Sequence, residues 1–310
     1  MITIIAKTAP FTILKPLIPR RVQIALRRAL INLQLPLYRH VWPINPQSSI
    51  PPESWSGWPD GKKFALVLTH DVDTQNGHDK CHFLAELDEK LGFRSSFNFV
   101  AEDYKLSDEL FNQLRSKGFE IGSHSIHHKN PFSSKKHFRD LAEKINNYLK
   151  EWNAVGFRSP SMYHNLEMIH DLNIEYDAST FDTDPFEPQP DGLGTIFPLW
   201  ISDNCNHKGY VELPYTLPQD FLIYILMKQK NTDIWKTKLD WIAKNGGMAL
   251  LNSHPDYMNF DNFPHYEKYP VQYYENFLTY IKTKYEGQYW HVLPRDMARF
   301  WATNHRNNIC

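Results

Sequence analysis

The chain has 310 residues, of which 42% are hydrophobic and 14% aromatic, with a formal net charge of −1. These values are typical of a globular protein and exclude an intrinsically disordered chain. Its three cysteines, Cys81, Cys205 and Cys310, are far apart and form no CxxC pair. This spacing argues against a disulfide scaffold or a cysteine-rich zinc site and favours a reducing compartment.

The charge is unevenly distributed. Before Glu53 the chain has seven basic residues and no acidic one, whereas the remainder is acidic. A short basic arm on an acidic body argues against a general nucleic-acid-binding protein. The apolar run at the N-terminus is interrupted by Lys7 and precedes no small-residue cleavage site, so it does not predict a signal peptide. No uninterrupted apolar window is long enough to predict a transmembrane helix.

Residues 1–60 are predicted to form a region of their own, a basic helix followed by a Pro-rich linker. Residues 20–35 have the pattern of an amphipathic helix in which apolar side chains oppose arginines. Such a helix can contact an anionic membrane surface through residues 15–35, or it can pack on the main domain as a clasp. The sequence leaves both alternatives open. Residues 43–52 are rich in proline and serine and predict a linker or an extended segment.

From residue 61 onward, strands and helices are predicted in alternation. Strands or extended segments are expected at 64–69, 96–100, 119–123, 155–157, 174–178, 195–201, 210–214, 248–252 and 289–292. Helices are expected at 79–91, 107–117, 134–151, 165–172, 270–284 and 294–302, with two more within 218–245. This alternation predicts one α/β domain over residues 61–310, built on a parallel sheet, open or closed. In such folds the functional side chains gather at the C-terminal ends of the strands.

The first predicted strand, 64–69, ends in a pair of carboxylates. Asp71 and Asp73 are two residues apart on an extended chain, so they face the same side. A carboxylate that is buried without a partner is costly, and a metal ion or a cationic group is the expected explanation. The pair therefore indicates a candidate metal or catalytic site.

A pair of histidines follows the strand at 119–123. If a helical turn starts at Ser123, His124 and His128 project from one face, within reach of one ion. Asp73 is the candidate third ligand, because catalytic zinc sites typically use three such protein ligands and keep one position for water. These ligand types favour zinc, with cobalt, nickel or manganese as alternatives.

The other polar groups at strand ends are interpreted as a general acid, a general base and a residue that orients the base. Asp71 is the candidate general base, since a metal-bound water has a pKa of roughly 7 and a carboxylate can accept its proton. Arg158 would hold Asp71 ionised and oriented, and His254 would give a proton to a departing amine. His127 competes as a ligand but projects elsewhere on the turn. His70 is expected to line the site or to be hydrogen-bonded.

Four stretches, taken together and in this order, resemble the NodB-homology polysaccharide deacetylases of carbohydrate esterase family 4. Residues 69–73 resemble the family's T-F-D-D motif in a D-x-D variant, and residues 124–128 fit H-S/T-x-x-H. Residues 158–160 fit R-x-P, and residues 251–254 complete the pattern. The segment 176–179 resembles one that is common after the third motif. The likeness covers about residues 61–300, and the combination is specific although each piece alone is not.

This resemblance implies a deformed (β/α)7-type barrel, here with an N-terminal basic extension. It also implies a divalent metal, usually zinc, with three ligands: Asp73, His124 and His128. Asp71 would be the base, positioned by Arg158, and His254 the acid. The amide N–H of Ser161 would help to bind the tetrahedral oxyanion, as a preorganised donor.

The chain departs from the family pattern at three places. Ser161 replaces the aromatic residue that usually follows R-x-P. Asn252 stands where a leucine usually precedes the last histidine by two residues, so either Leu251 lines the acyl pocket or the pocket is more polar. The carboxylate partner of His254 is not evident from the motifs. The candidates for that partner are Asp220 and, behind it, Asp177.

Three functional hypotheses follow. The first is a metal-dependent hydrolase that removes an N-acetyl or related acyl group from a sugar or glycan in surface polysaccharide or lipopolysaccharide metabolism. It would work in the cytoplasm, including the inner face of the membrane. The second is an amidohydrolase acting on a small cyclic or linear amide. The third is a catalytically silent relative that binds carbohydrate.

Overall fold

A computed structural model describes residues 18–53, 55–203, 208–261, 263 and 265–305. The part of the expected membrane segment before residue 18, as well as Cys205 and Cys310, lies outside these residues. None of the helices in the described ranges is both long enough and apolar enough to cross a membrane.

Parallel strands dominate the described chain. Nine of its strands form one curved sheet, and two short strands form a separate ladder. The strands of the sheet are β1 (Phe64–Val72), β2 (Ser96–Phe99), β3 (Glu120–Ser123), β4 (Gly156–Phe157), β5 (Tyr176–Asp177), β6 (Leu199–Ser202), β7 (Gly209–Glu212), β8 (Met248–Ser253) and β11 (Tyr289–His291). The short ladder consists of β9 (Met258–Asn259) and β10 (Tyr269–Pro270).

The sheet curls into a deformed barrel around β1, which is buried along its whole length. Its order is β11-β1-β2-β3-β4-β5-β7-β6, with β8 on the other edge of β1, and only β6 runs antiparallel to its neighbour. The chain after β7 reaches β8 through a bridge between Leu217 and Leu251. The expected deformed (β/α) barrel is therefore confirmed, and the C-terminal ends of its parallel strands open at one rim.

The helices connect the strands, as the alternation predicted. They are α1 (Arg20–Tyr38), α2 (Gln75–His78), α3 (Cys81–Leu91), α4 (Asp108–Ser116), α5 (Lys135–Glu151), α6 (Asp233–Asn245), α7 (Gln272–Lys284) and α8 (Pro294–His305). In α5 the buried residues recur at helical spacing, from Phe138 to Leu149, and the Ser134 hydroxyl caps the N-terminus by accepting from the backbone N–H of His137. α3 ends at Gly92, whose left-handed φ of 85° suits a residue without a side chain.

Two predicted helices differ from the observed elements, and two short strands were not predicted. Within 165–172 there is only a 3₁₀ turn, Met168–Asp171, and the first helix expected in 218–245 is a π-helical turn, Phe221–Leu226. That turn consists of apolar and aromatic residues throughout, and most of it is buried, so it shows no amphipathic period that could define its type. The two-residue strands β9 and β10 were not predicted because such short segments carry no periodicity.

Helix α1 packs on the main body with one face and exposes apolar side chains on the other. Ile24 and Ile31 are buried against the body, and the Arg28 guanidinium donates to the carbonyl oxygens of Ile225 and Tyr266, at 2.9 and 3.4 Å. The inner face therefore forms the clasp that the sequence allowed. The exposed apolar residues recur along the helix: Val22, Leu26, Leu30, Leu33 and Leu37.

Candidate active site

The polar motifs of the sequence converge at the C-terminal rim of the barrel. Asp71 and Asp73 end β1, the His124 to His128 segment follows β3, and His254 follows β8. Five of these side chains line one cavity of about 1040 Å³: Asp71, Asp73, His124, His128 and His254. The strands position them because β1 pairs with β2 on one side and β8 on the other, which brings their C-terminal ends together.

Asp73, His124 and His128 form a cluster that fits a metal ion. One ligand atom from each lies within 4.8 Å of the others. The Asp73 Oδ1 atom is 3.4 Å from His124 Nε2 and 3.2 Å from His128 Nε2. This oxygen is buried and has no hydrogen-bond partner among the described residues. An orphaned carboxylate oxygen facing two imidazole nitrogens is the donor set of a divalent transition metal.

The orientation of His124 is set by a backbone contact. Its Nδ1 lies 2.9 Å from the carbonyl oxygen of Arg158 and must donate, because a carbonyl only accepts. The proton is therefore on Nδ1, and in the neutral ring Nε2 presents a lone pair toward Asp73, an arrangement typical of metal-ligating histidines. His124 and His128 do not lie on a helical turn as expected. His128 lies in a bend, residues 126–129, and Ser125 just before that bend has a left-handed φ of 69°.

The two other histidines of the motifs have different partners. His127 points away from the cluster, and its Nδ1 is 2.7 Å from Asp103 Oδ1. The second oxygen of Asp103 accepts from the backbone N–H of His128 at 2.6 Å, so this carboxylate fixes the bend. His70 is fully buried, with Nδ1 2.9 Å from the Ser253 hydroxyl and Nε2 3.2 Å from Asp88. His70 therefore links β1 to β8 and to α3 inside the protein.

Asp71 is buried and held by three donors. Its Oδ1 accepts from Asn98 at 2.9 Å and from Arg158 at 3.1 Å, and its Oδ2 accepts from Asn252 at 2.8 Å. Burial alone would raise the pKa of Asp71. The positive charge of Arg158, together with the nearby histidines, outweighs the effect of burial and lowers that pKa to about 2. The carboxylate is thus ionised and fixed in orientation.

Arg158 is itself fully buried and is held through its Nη1 and Nε atoms, whereas its Nη2 has no hydrogen-bond partner among the described residues. Its Nη1 donates to the Thr69 hydroxyl and to Asn252 Oδ1, both at 2.8 Å, and its Nε donates to the carbonyl oxygen of Ala178 at 2.7 Å. Asn252 therefore bridges Arg158 and Asp71. The residue that departs from the family pattern completes the polar network around the candidate base.

His254 is paired with Asp220. Its Nδ1 is 2.7 Å from Asp220 Oδ1, and its backbone N–H donates to Asp220 Oδ2, which also accepts from the Tyr269 hydroxyl at 3.0 Å. Burial would lower the pKa of His254, but the Asp220 carboxylate overrides it and raises that pKa to about 10. His254 Nε2 lies 4.0 Å from Asp71 Oδ2. Asp177, the second candidate partner, instead accepts from the Ser179 hydroxyl.

Ser161 and Leu251 differ in their relation to the cavity. Ser161 lines it, with a left-handed φ of 54°. Leu251 does not, which corrects the expectation that it forms the acyl pocket. It is fully buried in β8, and alternation along the strand turns it to the side opposite Asn252. Apolar wall is supplied instead by Met162, Phe186, Phe221, Leu222, Leu226 and Tyr257.

Several contributing residues were not predicted. Asp256 accepts from the backbone N–H of Asp73 at 3.0 Å and from the Thr74 hydroxyl at 2.5 Å, so it fixes the loop that carries the candidate ligand. Gly77 makes room for it, because a Cβ at that position would overlap the Asp256 carboxylate. The Tyr257 hydroxyl is 3.4 Å from Asp73 Oδ2. A second acid two residues after His254 was the available signal for Asp256.

The fold and cluster define a class, a deformed (β/α) barrel with an Asp-His-His cluster at its C-terminal rim. The sequence matches no protein-family model and no curated protein. Among solved structures, the chain is similar to a Mycobacterium smegmatis protein assigned as a polysaccharide deacetylase, with 16% identity and a TM-score of 0.60 over 81% of this chain and 94% of that one.

Two further solved structures are similar to a comparable degree. Puue allantoinase has 16% identity and a TM-score of 0.61 over 80% of this chain and 93% of its own. A Pseudomonas aeruginosa PAO1 protein assigned as a polysaccharide deacetylase has 16% identity and a TM-score of 0.58 over 80% and 94%. At this level of identity the likeness shows a shared fold alone, the deformed (β/α) barrel described above.

Proposed function

We propose that the chain is a metal-dependent hydrolase that removes an N-acetyl or related acyl group from a sugar. The observation that carries this proposal is the cluster of Asp73, His124 and His128 with an ionised carboxylate, Asp71, beside it. His254 lies on the other side of that carboxylate, 4.0 Å away. A ligand set flanked by a base and an acid is suited to hydrolysis of an amide.

Asp73, His124 and His128 would hold the metal, with zinc expected from two imidazoles and one carboxylate. When bound, such an ion supplies a Lewis acid and brings the pKa of a bound water to about 7. The orphaned Oδ1 of Asp73 and the oriented Nε2 of His124 support this assignment.

Asp71 and His254 would divide the proton transfers. Asp71 accepts a proton from the attacking water, and Arg158 and Asn252 keep it ionised and correctly oriented. His254 donates its Nε2 proton to the departing amine as the carbon–nitrogen bond breaks, while Asp220 stabilises the imidazolium. The backbone N–H of Ser161 would bind the oxyanion. The products are a free amine and a carboxylic acid.

The cellular context belongs to the same proposal. We place the reaction in surface polysaccharide or lipopolysaccharide metabolism, in the cytoplasm at the inner face of the membrane. Contact with the membrane would be made through residues 15–35. The exposed apolar face of α1 and the lack of acidic residues before Glu53 support such a contact.

A small amide is the second candidate substrate, because the fold is equally similar to that of Puue allantoinase. The two candidates are separated by assaying the purified protein for acetate release from N-acetyl sugars and for opening of ring amides. The proposed function requires acetate release to exceed ring opening. Turnover of ring amides alone would select the second candidate.

Metal analysis combined with variants tests the site. Asp73→Ala and His124→Ala should lose the bound metal, whereas Asp71→Asn should keep it and lose activity by about 10³-fold or more, because only the base is removed. His127→Ala is the matched control, since His127 is adjacent to the ligands in sequence but contacts Asp103 instead. Full metal content in both ligand variants would contradict the assignment. Unchanged function in Asp71→Asn would favour a silent carbohydrate-binding protein.

A further inference from the structure

One wall of the candidate active-site cavity is formed by helix α1. Arg20 and Arg27 are seven residues apart, two helical turns, so they project from the same face, and both line the cavity. Both guanidinium carbons lie over the ring of Phe221, at 5.7 and 5.3 Å from its centre. Arg20 is neutralised by Glu267, whose Oε1 lies 2.7 Å from its Nε. The two arginines therefore share a position but differ in their partners.

Arg27 rests on Phe221 but has no anionic partner in the part of the chain that the structure describes. Among the described residues it makes no hydrogen bond and no ion pair within 4.0 Å, although it is half-buried. The acidic groups that act on it from a distance are Glu187 and Asp184. Both carboxylates accept a hydrogen bond from the Tyr215 hydroxyl, at 3.0 Å for Glu187 and 2.9 Å for Asp184. Burial raises the pKa of each of these acids, so they offset the positive charge of Arg27 less than two fully ionised carboxylates would.

An unpaired guanidinium that has lost much of its water is costly unless a ligand supplies the missing anion. Its five N–H donors are arranged as a planar fork that matches the oxygens of a phosphate or a carboxylate. The part of the cavity beside Arg27 is therefore suited to an oxyanion.

The position of Arg27 relative to the candidate metal cluster is set by two aromatic rings. Phe221, under Arg27, has its ring centre 4.8 Å from that of Tyr257. The Tyr257 hydroxyl in turn lies 3.4 Å from Asp73 Oδ2. Aromatic faces are suited to stacking on sugar rings, and these two rings connect the cluster to the guanidinium through successive contacts. A sugar with its acyl group at the cluster would direct its far substituent toward Arg27.

We propose that Arg27 binds an oxyanion carried by the sugar, so that the substrate is an anionic sugar rather than a neutral glycan. This inference rests on the proposed deacetylase function. Two sources share the required chemistry, a phosphate on the sugar, as in a glycosyl phosphate, and the carboxylate of a uronic acid. Arg27 acts as a specificity-determining residue and does not touch the acyl group.

The test compares three N-acetyl substrates, a methyl glycoside, its 1-phosphate and the corresponding uronic acid. We expect wild type to prefer at least one anionic substrate by tenfold or more in kcat/KM. Arg27→Met should reduce that preference at least tenfold, mainly through KM, and Arg27→Lys should restore part of it. Arg21→Met is the matched control, because Arg21 is on the same helix but does not line the cavity. It should leave the preference unchanged.

A preference for the neutral substrate, or an equal preference in wild type and Arg27→Met, would overturn the proposal. Which anionic substrate is preferred identifies the source of the oxyanion. A binding measurement separates this inference from the proposed function. Inorganic phosphate titrated into the purified protein should bind at least tenfold more weakly to Arg27→Met than to wild type and Arg21→Met, even if no acyl sugar is hydrolysed. Equal binding to all three proteins would overturn the subsite.

Discussion

At the scale of single residues, the pKa values of Asp71 and His254 are moved in opposite directions by the charged residue beside each. Asp71 lies beside the cation Arg158, and His254 lies beside the anion Asp220. The same burial that would neutralise each group is overcome by the charge next to it, so the pKa of Asp71 falls to about 2 and that of His254 rises to about 10. Between these values the acid and the base are both in the form that hydrolysis requires.

The pH profile of activity should therefore depend on Asp220. In wild type, His254 carries the proton that it donates until the pH rises through its pKa of about 10. Asp220→Asn removes the largest of the charges that raise the pKa of His254, so burial is opposed only by Asp73 and Asp71 and that pKa should fall. The alkaline limb of kcat/KM should move to lower pH, with a loss of about 10²-fold at pH 8. Profiles of kcat/KM against pH measure this shift.

Tyr269→Phe is the matched control for that profile. It removes a hydrogen bond of 3.0 Å to the same carboxylate and leaves its charge in place. We expect a much smaller shift of the alkaline limb in this variant. An alkaline limb that stays at the wild-type pH in Asp220→Asn would show that His254 is not the acid.

Some contacts between residues far apart in the sequence could be predicted from the sequence, and others could not. Asp71, Asp73, His124 and His128 were predictable because strand ends converge in a parallel barrel. Asn98 was not, since its contact with Asp71 depends on the register between β1 and β2. Leu251 was expected to line the acyl pocket because Asn252 occupies the position where the family has a leucine. Adjacent residues on a strand face opposite sides, so Leu251 cannot take the place of the residue at position 252.

At the scale of elements, strand β3 carries a buried acid outside the candidate site. Glu120 accepts from the Tyr176 hydroxyl at 2.8 Å and from the backbone N–H of Arg295 at 3.1 Å, which joins β3 to β5 and to the start of α8. Burial has the largest influence on the pKa of Glu120 and raises it to about 7, although the two hydrogen bonds lower it. The folded state therefore binds this proton more tightly than the unfolded chain does.

This linkage predicts a pH-dependent stability with a defined sign. The contribution of Glu120 is fully present below an unfolded pKa of roughly 4.3 and is lost as the pH rises through about 7. Glu120→Gln is neutral throughout, so its free energy of unfolding relative to wild type should improve by roughly 3 kcal/mol between pH 4 and pH 8. Urea unfolding at several pH values measures this difference.

A second variant tests the cause. Tyr176→Phe removes a donor to the ionised Glu120, so the decline of stability with pH should become steeper than in wild type. If the stabilities of wild type and Glu120→Gln run parallel over the whole pH range, Glu120 does not titrate in this window.

At the scale of the whole molecule, helix α1 links the candidate site to the outer surface. Its inner face contributes Arg20 and Arg27 to the cavity, while its outer face exposes apolar side chains by between 45% for Leu26 and 75% for Leu33. An exposed apolar row at helical spacing is unusual for a protein surface in water and is typical of an interfacial helix. One wall of the cavity and the expected membrane contact are therefore on one element.

Vesicle binding tests this arrangement directly. The protein should float with vesicles that contain about 30% phosphatidylglycerol and should not float with pure phosphatidylcholine, because each basic residue near an anionic surface contributes about 1 kcal/mol. Leu26→Glu combined with Leu33→Glu introduces two negative charges into the exposed row and should abolish flotation. Phe83→Glu is the matched control, since Phe83 is 47% exposed but belongs to α3.

A chain shortened to begin at residue 18 distinguishes a membrane from residues 1–17 as the occupant of this face. If the N-terminal segment covered the apolar row, a chain that begins at residue 18 would bind vesicles more strongly than the full chain. Contact through residues 15–35 predicts the opposite, because the shortened chain loses Lys15 and the apolar residues beside it. Flotation that is equal in wild type and the double variant would exclude α1 as the contact, and the row would then need another partner.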